Sequence, residues 1–290
     1  LFRPLVVVAR FTGTPADGHG QHQLAGYLTP IAFRAAADPR EFPEQIAEGL
    51  EPWQAIKLYV SQSFVSNPEN QPSLIINTGE YDSLIGRSYF EIAMEGRSQH
   101  KSQEMGMLEL RGRQTSGLRL LESKVSSRED DRDIFAGIDT SIKGIAILAA
   151  DNSQPFSEKL AILQATAEQA LSSYDPFHPE KLVRILARGH REAVEAELST
   201  QNPTSKWYCR QKQREFAKAL QAAAGVVVDA LSDSETLVAG ESINIAVRLF
   251  APAGIDVSLV DAKIQTPRGW KTESIAEPPQ KPDVTFRPRR

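Results

Sequence analysis

The order of elements at the N-terminal end constrains this fold more than any other stretch. A short apolar, β-branched run, Leu5-Val6-Val7-Val8-Ala9, is followed by a loop from Arg10 to Pro15 and then by a helical pattern from about Gln21. Such a run, bounded by turn residues, reads as a buried strand. The helix carries Leu24, Tyr27, Leu28, Ile31 and Ala35 on one face, is expected to bend at Pro30, and stops at Asp38-Pro39. A strand that feeds a helix in this way belongs to an α/β sheet, and ligands of open α/β sheets bind beyond the carboxyl ends of the strands.

At that end lies Asp17-Gly18-His19-Gly20-Gln21-His22. Two imidazoles three residues apart at a loop-to-helix junction can converge on one point, and neutral imidazole is the commonest protein ligand for zinc-type metals. A usable site needs about three protein ligands. The chain has five histidines (His19, His22, His100, His178 and His190) and one cysteine, and no second cluster with ligand spacing stands near the pair. A metal held here would take the rest of its ligands from elsewhere. A polar loop with no metal is the plainer reading of the same residues.

Farther along, Ile56 to Val60 and Leu74 to Asn77 are strand candidates, separated by a polar loop from Ser63 to Ser73. A helix is expected from about Ser83 to Glu104, with Tyr89, Ala93, Gly96 and His100 sharing a face. His100 then points inward, either as a core histidine bonded to backbone or as support for the histidine pair. Gly106 to Asp133 reads as an exposed loop that ends in the charge run Arg128 to Asp133. Three helical segments follow, Phe156 to Ser172, Pro179 to Leu198 and Lys206 to Ala224. After Gly225 the period becomes two: Ile243, Ile245, Val247 and Leu249 alternate with polar or small residues, and so do Val257 and Leu259. The phase then slips, as at a bulge. Pro267-Arg268-Gly269-Trp270 reads as a turn, and Cys209, with no histidine near it in sequence, as a buried structural thiol.

The segment from Leu5 to Gln103 resembles the PIG-L/LmbE-like zinc-dependent de-N-acetylases. The matches are the strand Val6-Val7-Val8, the loop Asp17-Gly18-His19-Gly20-Gln21-His22-Gln23, and the run Arg97-Ser98-Gln99-His100-Lys101-Ser102-Gln103. Phe42-Pro43-Glu44-Gln45 and Pro52-Trp53-Gln54 are similar to a bacterial subgroup. The resemblance implies a Rossmann-like α/β sheet and Zn2+ as the metal, with another divalent ion as an alternative. It implies His22 as a metal ligand and His19 as the catalytic, electrostatic or acid group. The reaction implied is removal of an N-acetyl group from an N-acetylglucosamine-type amino sugar or glycoconjugate. In the family the other two ligands and the base come from a His-Pro-Asp-Asp-Glu motif, and these residues contain none. The chain is therefore expected to be the C-terminal portion of a longer protein, inactive alone. Where many members carry Asp between the paired histidines, Gln21 stands here; it accepts a hydrogen bond but carries no charge to stabilise an imidazolium. Asp17 is the residue that could compensate.

The expected class is α/β. Residues 1–145 form the C-terminal part of a catalytic domain with a partial Rossmann-like (LmbE-like) sheet, residues 146–225 a helical region, and residues 226–290 a partial β-sandwich. The turn at Pro267 to Trp270 is similar to one in NPCBM-associated sandwich modules beside glycan enzymes. The balance of 33 basic against 37 acidic residues gives no nucleic-acid footprint, and no run is apolar enough to span a membrane. One cysteine excludes an intrachain disulfide. The rival function is a non-catalytic carbohydrate-binding or interaction protein on a degenerate deacetylase fold. Oligomeric state and compartment stay open, with secretion or a periplasmic site suggested by the sandwich resemblance.

Overall fold

The computed structural model describes residues 2–61, 72–103, 106, 108–125, 133–255, 257–258, 260–261 and 263–275. The chain is mixed α/β and divides into two compact units, Leu1–Gly144 and Ile145–Arg290.

The first unit is built on a four-stranded mixed sheet of β1 (Val6–Ala9), β2 (Lys57–Ser61), β3 (Leu74–Asn77) and β6 (Thr115–Ser123), in the order β1-β2-β6-β3. β1 and β2 are parallel, joined through helices α1 (Gly20–Ala35) and α2 (Pro43–Ala47), while β6 runs antiparallel to both β2 and β3. β2 is buried along its whole length, as a near-continuous apolar run inside a sheet should be. Even its Lys57 is buried, with the ammonium donating to the Tyr59 hydroxyl at 3.4 Å.

Alternate residues feed opposite faces of the sheet. Leu58 packs with Phe33 of α1, Ala55, Val7 and Leu121 on one face. Tyr59 packs with Leu74, Leu118, Val6, Ile76, Leu120 and Ile134 on the other. Leu120 and Leu121 are neighbours in sequence yet serve opposite clusters with no polar residue between them. Ordinary alternation along the strand does this; separately, the pairing shifts between Leu58 and Tyr59, where Leu58 faces Glu122 and Tyr59 faces Leu120, so Leu121 is the extra residue of a bulge.

Three expectations need correction here. The stretch Gly106 to Asp133 holds a long strand inside the sheet, β6, and is not simply an exposed loop; the charge run itself lies mostly outside the described residues. The expected helix from Ser83 to Glu104 is confined to α3, Tyr89–Ser98, because what precedes it turns. The Asp82 carboxylate accepts from the amides of Leu84 and Ile85, and Gly86 adopts φ 77°, closing a small hairpin of β4 (Tyr81–Asp82) and β5 (Arg87–Ser88). Ser88 and Glu91 then form a reciprocal capping box that starts α3. Third, the apolar stripe of α1 is not its docking face. Leu24, Tyr27, Leu28 and Ile31 are exposed, whereas Gly26 and Phe33 are buried.

The second unit contains α4 (Ile145–Leu148), α5 (Gln154–Ser172), α6 (Val183–Leu198), α7 (Pro203–Ala224) and a hairpin of β7 (Val227–Ser232) with β8 (Ile245–Phe250). Helices α5, α6 and α7 pack through Phe156, Leu160, Leu163, Leu186, Ala193 and Phe216, among others. Gly189 of α6 receives the Phe216 ring of α7 so closely that a Cβ there would stand 2.2 Å from the ring. The turns are held by a buried carboxylate: Asp151 accepts from the hydroxyls of Thr200 at 2.5 Å and Ser205 at 2.8 Å and from the Ser153 amide at 3.2 Å. Asn202 caps α7, and Gly225 ends it in the left-handed region. The turn at Pro267 to Trp270 is present. No strand follows Phe250 among the described residues, and Leu259 of the Val257 to Leu259 alternation lies outside them.

Candidate functional site

The histidine pair sits where β1 gives way to α1. Ala9 of β1 lies beside Val60 of β2 at the carboxyl end of the parallel pair. Arg10 and Ser61 tie the two strand ends together: the Arg10 guanidinium donates to the Ser61 hydroxyl at 3.0 Å, and that hydroxyl donates to the Arg10 carbonyl at 3.2 Å. The loop then closes on Asp17. Its carboxylate accepts from the amides of Thr12 (3.0 Å), Gly13 (2.7 Å) and Thr14 (3.1 Å) and from the Thr12 hydroxyl (3.0 Å). Burial pushes the Asp17 carboxyl upward, but the amides of Thr12, Thr14 and Gly13 and the Thr12 hydroxyl outweigh it, so the group is held below its ordinary range and charged.

His19 is the N-cap residue of α1, in extended backbone, and its side chain makes no capping bond. It is exposed, and His22, one turn into the helix, is partly buried. The rings converge: their centroids stand 3.7 Å apart at 34°. The other neighbour of His22 is Phe11, stacked at 4.0 Å and 15°. The imidazole of His22 is thus flanked by two rings.

One nitrogen of His22, Nδ1, lies 3.1 Å from the Asp17 carbonyl oxygen. A carbonyl only accepts, so Nδ1 carries a proton, and in the neutral imidazole Nε2 is the bare nitrogen. A backbone carbonyl on the far nitrogen is the arrangement that metal-binding histidines ordinarily show. Gln23 donates to the Gly18 carbonyl at 2.7 Å and closes the first turn from the other side. Gln21 is exposed and makes no hydrogen bond to either imidazole among the described residues. Asp17 does not orient His19 as a substitute acid would; its carboxylate is taken up by the loop.

The fit to a metal is partial. The pair offers one well-oriented Nε2 and a second imidazole within stacking distance. Among the described residues no group of three or more His, Cys, Asp or Glu could hold a metal ion. His100 is not directed inward. It is exposed, and its Nδ1 donates to the Arg97 carbonyl at 3.1 Å, closing the end of α3, so the expected bond to backbone is present and the core placement is not. Cys209 is buried and free, its thiol pushed up to about 12 by burial, with the Glu197 and Asp151 charges adding to the effect. It is structural, as its sequence setting suggests.

Sequence reasoning missed a concave feature elsewhere in the first unit. A cavity of about 350 Å³ is lined by Gly79, Tyr81, Ser88, Glu91, Arg111 and others. The buried Glu91 carboxylate binds Ser88 and the Arg111 guanidinium there, so its charge is met within the cavity wall. The Ser-x-x-Glu spacing of Ser88 and Glu91 was the available signal. No helix among the described residues is long and apolar enough to cross a membrane. Compared with known protein families, with curated proteins and with solved structures, the chain matches none of them.

Proposed function

We propose that the β1–α1 junction contributes to a zinc-dependent amide hydrolase acting on an N-acetylated amino sugar or glycoconjugate. In this reading His22 is a metal ligand through Nε2, His19 is the neighbouring catalytic group, and the remaining ligands and the base come from outside the described residues. The observation that carries it is the fixed tautomer of His22, with a bare Nε2 beside a second imidazole at the carboxyl edge of a parallel strand pair. The motif resemblance to the PIG-L/LmbE-like de-N-acetylases supplies the reaction class. Zinc, when bound, would supply Lewis acidity toward the acyl oxygen and the attacking water.

The chain's own part is then limited and definite. His22 presents a lone pair and is held against rotation by the Asp17 carbonyl. The exposed imidazole of His19, which makes no side-chain hydrogen bond among the described residues, is left able to donate to a developing oxyanion or to a leaving amine. Other divalent ions suit two imidazoles as well, so zinc rests on the resemblance.

The test is metal content. Full-length protein purified as wild type and as His22→Ala is assayed for zinc and for acetate release from an N-acetylglucosamine-type substrate. The reading predicts loss of both in the variant. His19→Ala is predicted to keep zinc and lose turnover by about 10²-fold or more, the usual contribution of a positioned acid–base group. Undiminished zinc in His22→Ala defeats the proposal.

A further inference from the structure

We propose that Asp17 is a positioning residue for His22, setting through one residue both where the imidazole stands and which of its nitrogens is bare. The proposal rests on the reading of His22 as a metal ligand for its functional meaning, though the geometry that supports it is independent of any metal.

Two ends of Asp17 do different work. The carboxylate gathers three consecutive amides, those of Thr12, Gly13 and Thr14, together with the Thr12 hydroxyl. That fixes the chain leaving β1. The carbonyl of the same residue, in the short 3-10 turn Pro15–Asp17, accepts from Nδ1 of His22. Stacking between Phe11 at 4.0 Å and His19 at 3.7 Å limits the tilt of the imidazole. Stacking does not distinguish a ring from the same ring flipped about its Cβ–Cγ bond. Only a polar partner on one edge does, and the Asp17 carbonyl is that partner.

Without the carboxylate, three amides lose their shared acceptor and the Thr12 hydroxyl keeps only its contact with the Thr14 hydroxyl among the described residues. The carbonyl is carried away with the loop. His22 would then sample both tautomers and both flips. Side chains that hold a ligand histidine by its far nitrogen typically contribute 10–100-fold to metal affinity. Asp17 is placed to act in that way through its backbone, with its side chain as the anchor.

The experiment uses the full-length protein labelled with 15N at histidine. Long-range 1H–15N correlation at alkaline pH reports which nitrogen of His22 is protonated, and a zinc titration reports affinity. In wild type, His22 is expected as the Nδ1–H tautomer. In Asp17→Ala, Nε2–H becomes populated and zinc affinity falls about 10-fold or more. Thr14→Ala, which keeps the three amides on the carboxylate, leaves the tautomer unchanged. If Asp17→Ala fails to fold, Asp17→Asn takes its place. Its amide group turns donors toward donors, and partial loss of the Nδ1–H form is expected. A wild-type His22 protonated at Nε2, or an undisturbed Nδ1–H form in the folded Asp17 variant, overturns the proposal. Zinc binding that survives His22→Ala would instead sink the metal-ligand reading and leave the tautomer result standing.

Discussion

Replacing Gly26 by alanine should destabilise the first unit, although the substitution is one that helices ordinarily welcome. In α1 it removes backbone freedom from the unfolded chain and favours the helix by about 0.5–1 kcal/mol. Against that stands the loop after β1. A Cβ on Gly26 would lie 2.2 Å from the Gly13 nitrogen, 2.8 Å from its Cα and 2.8 Å from the Phe11 carbonyl carbon. All three are backbone atoms, so no side chain can swing aside. Ordinary contact begins near 3.4 Å, so helix and loop must separate by about 1 Å. Gly13 cannot yield by changing conformation, since it already stands at φ 80° with its amide bound to Asp17. Overpacking of this kind costs about 1–3 kcal/mol, and more where backbone meets backbone. The clash outweighs the propensity gain, and a net loss of about 1–2 kcal/mol follows. Urea unfolding together with amide exchange in α1 and β1 would measure it. Gly96→Ala in α3 is the control: nothing stands within 4 Å of its Cβ, and it should gain about 0.5–1 kcal/mol. A Gly26→Ala protein as stable as wild type beside a stabilised Gly96→Ala protein would refute the close packing of α1 on the loop.

Four further outcomes concern the second unit. Asp151→Ala should cost about 2–4 kcal/mol in urea unfolding, because the hydroxyls of Thr200 and Ser205 are left buried without their acceptor; a loss under 0.5 kcal/mol contradicts it. The pH dependence has a definite sign. Burial raises the Asp151 carboxyl, but the Thr200 and Ser205 hydroxyls and the Ser153 amide outweigh it and leave the group below its ordinary 3.8. Its stabilisation is therefore complete above that value and is lost as pH falls through the lower folded-state value, so wild type should lose more stability on acidification than Asp151→Asn does. Gly189→Ala should lower stability by about 1–3 kcal/mol, with Phe216→Leu in the same chain recovering part of it, as read by thermal melts. Cys209, with its thiol pushed up to about 12, should react with a disulfide reagent only on the timescale of unfolding, and rapid labelling of the native protein would count against its burial.

The N-terminal strand and helix were readable because a β-branched run beside a 3.6-residue pattern admits few alternatives. The three long helices were readable for the same reason, with Pro179 and Gly225 marking their limits. What could not be read depends on contacts distant in sequence. β6 hid because polar residues surround its three leucines and the bulge at Leu121 interrupts the period of two. The docking side of α1 was misjudged because hydrophobicity points to Leu24, Tyr27, Leu28 and Ile31, whereas packing against the loop is set by the missing side chain of Gly26. His100 was placed inward by carrying the helical period past Ser98, where α3 ends, along a face whose Tyr89, Ala93 and Gly96 are not buried. At the site, spacing was enough to bring His19 and His22 together. The Phe11 stack and the double use of Asp17 arise from loop conformation, which residue spacing does not encode.

The most direct test of the account is the 15N spectrum of His22 during zinc addition to the full-length protein. The account predicts that zinc perturbs Nε2 of His22 first and most, with Nδ1 remaining protonated toward the Asp17 carbonyl and the response lost in His22→Ala. Zinc that leaves the His22 resonances unmoved, or that binds through Nδ1, contradicts it.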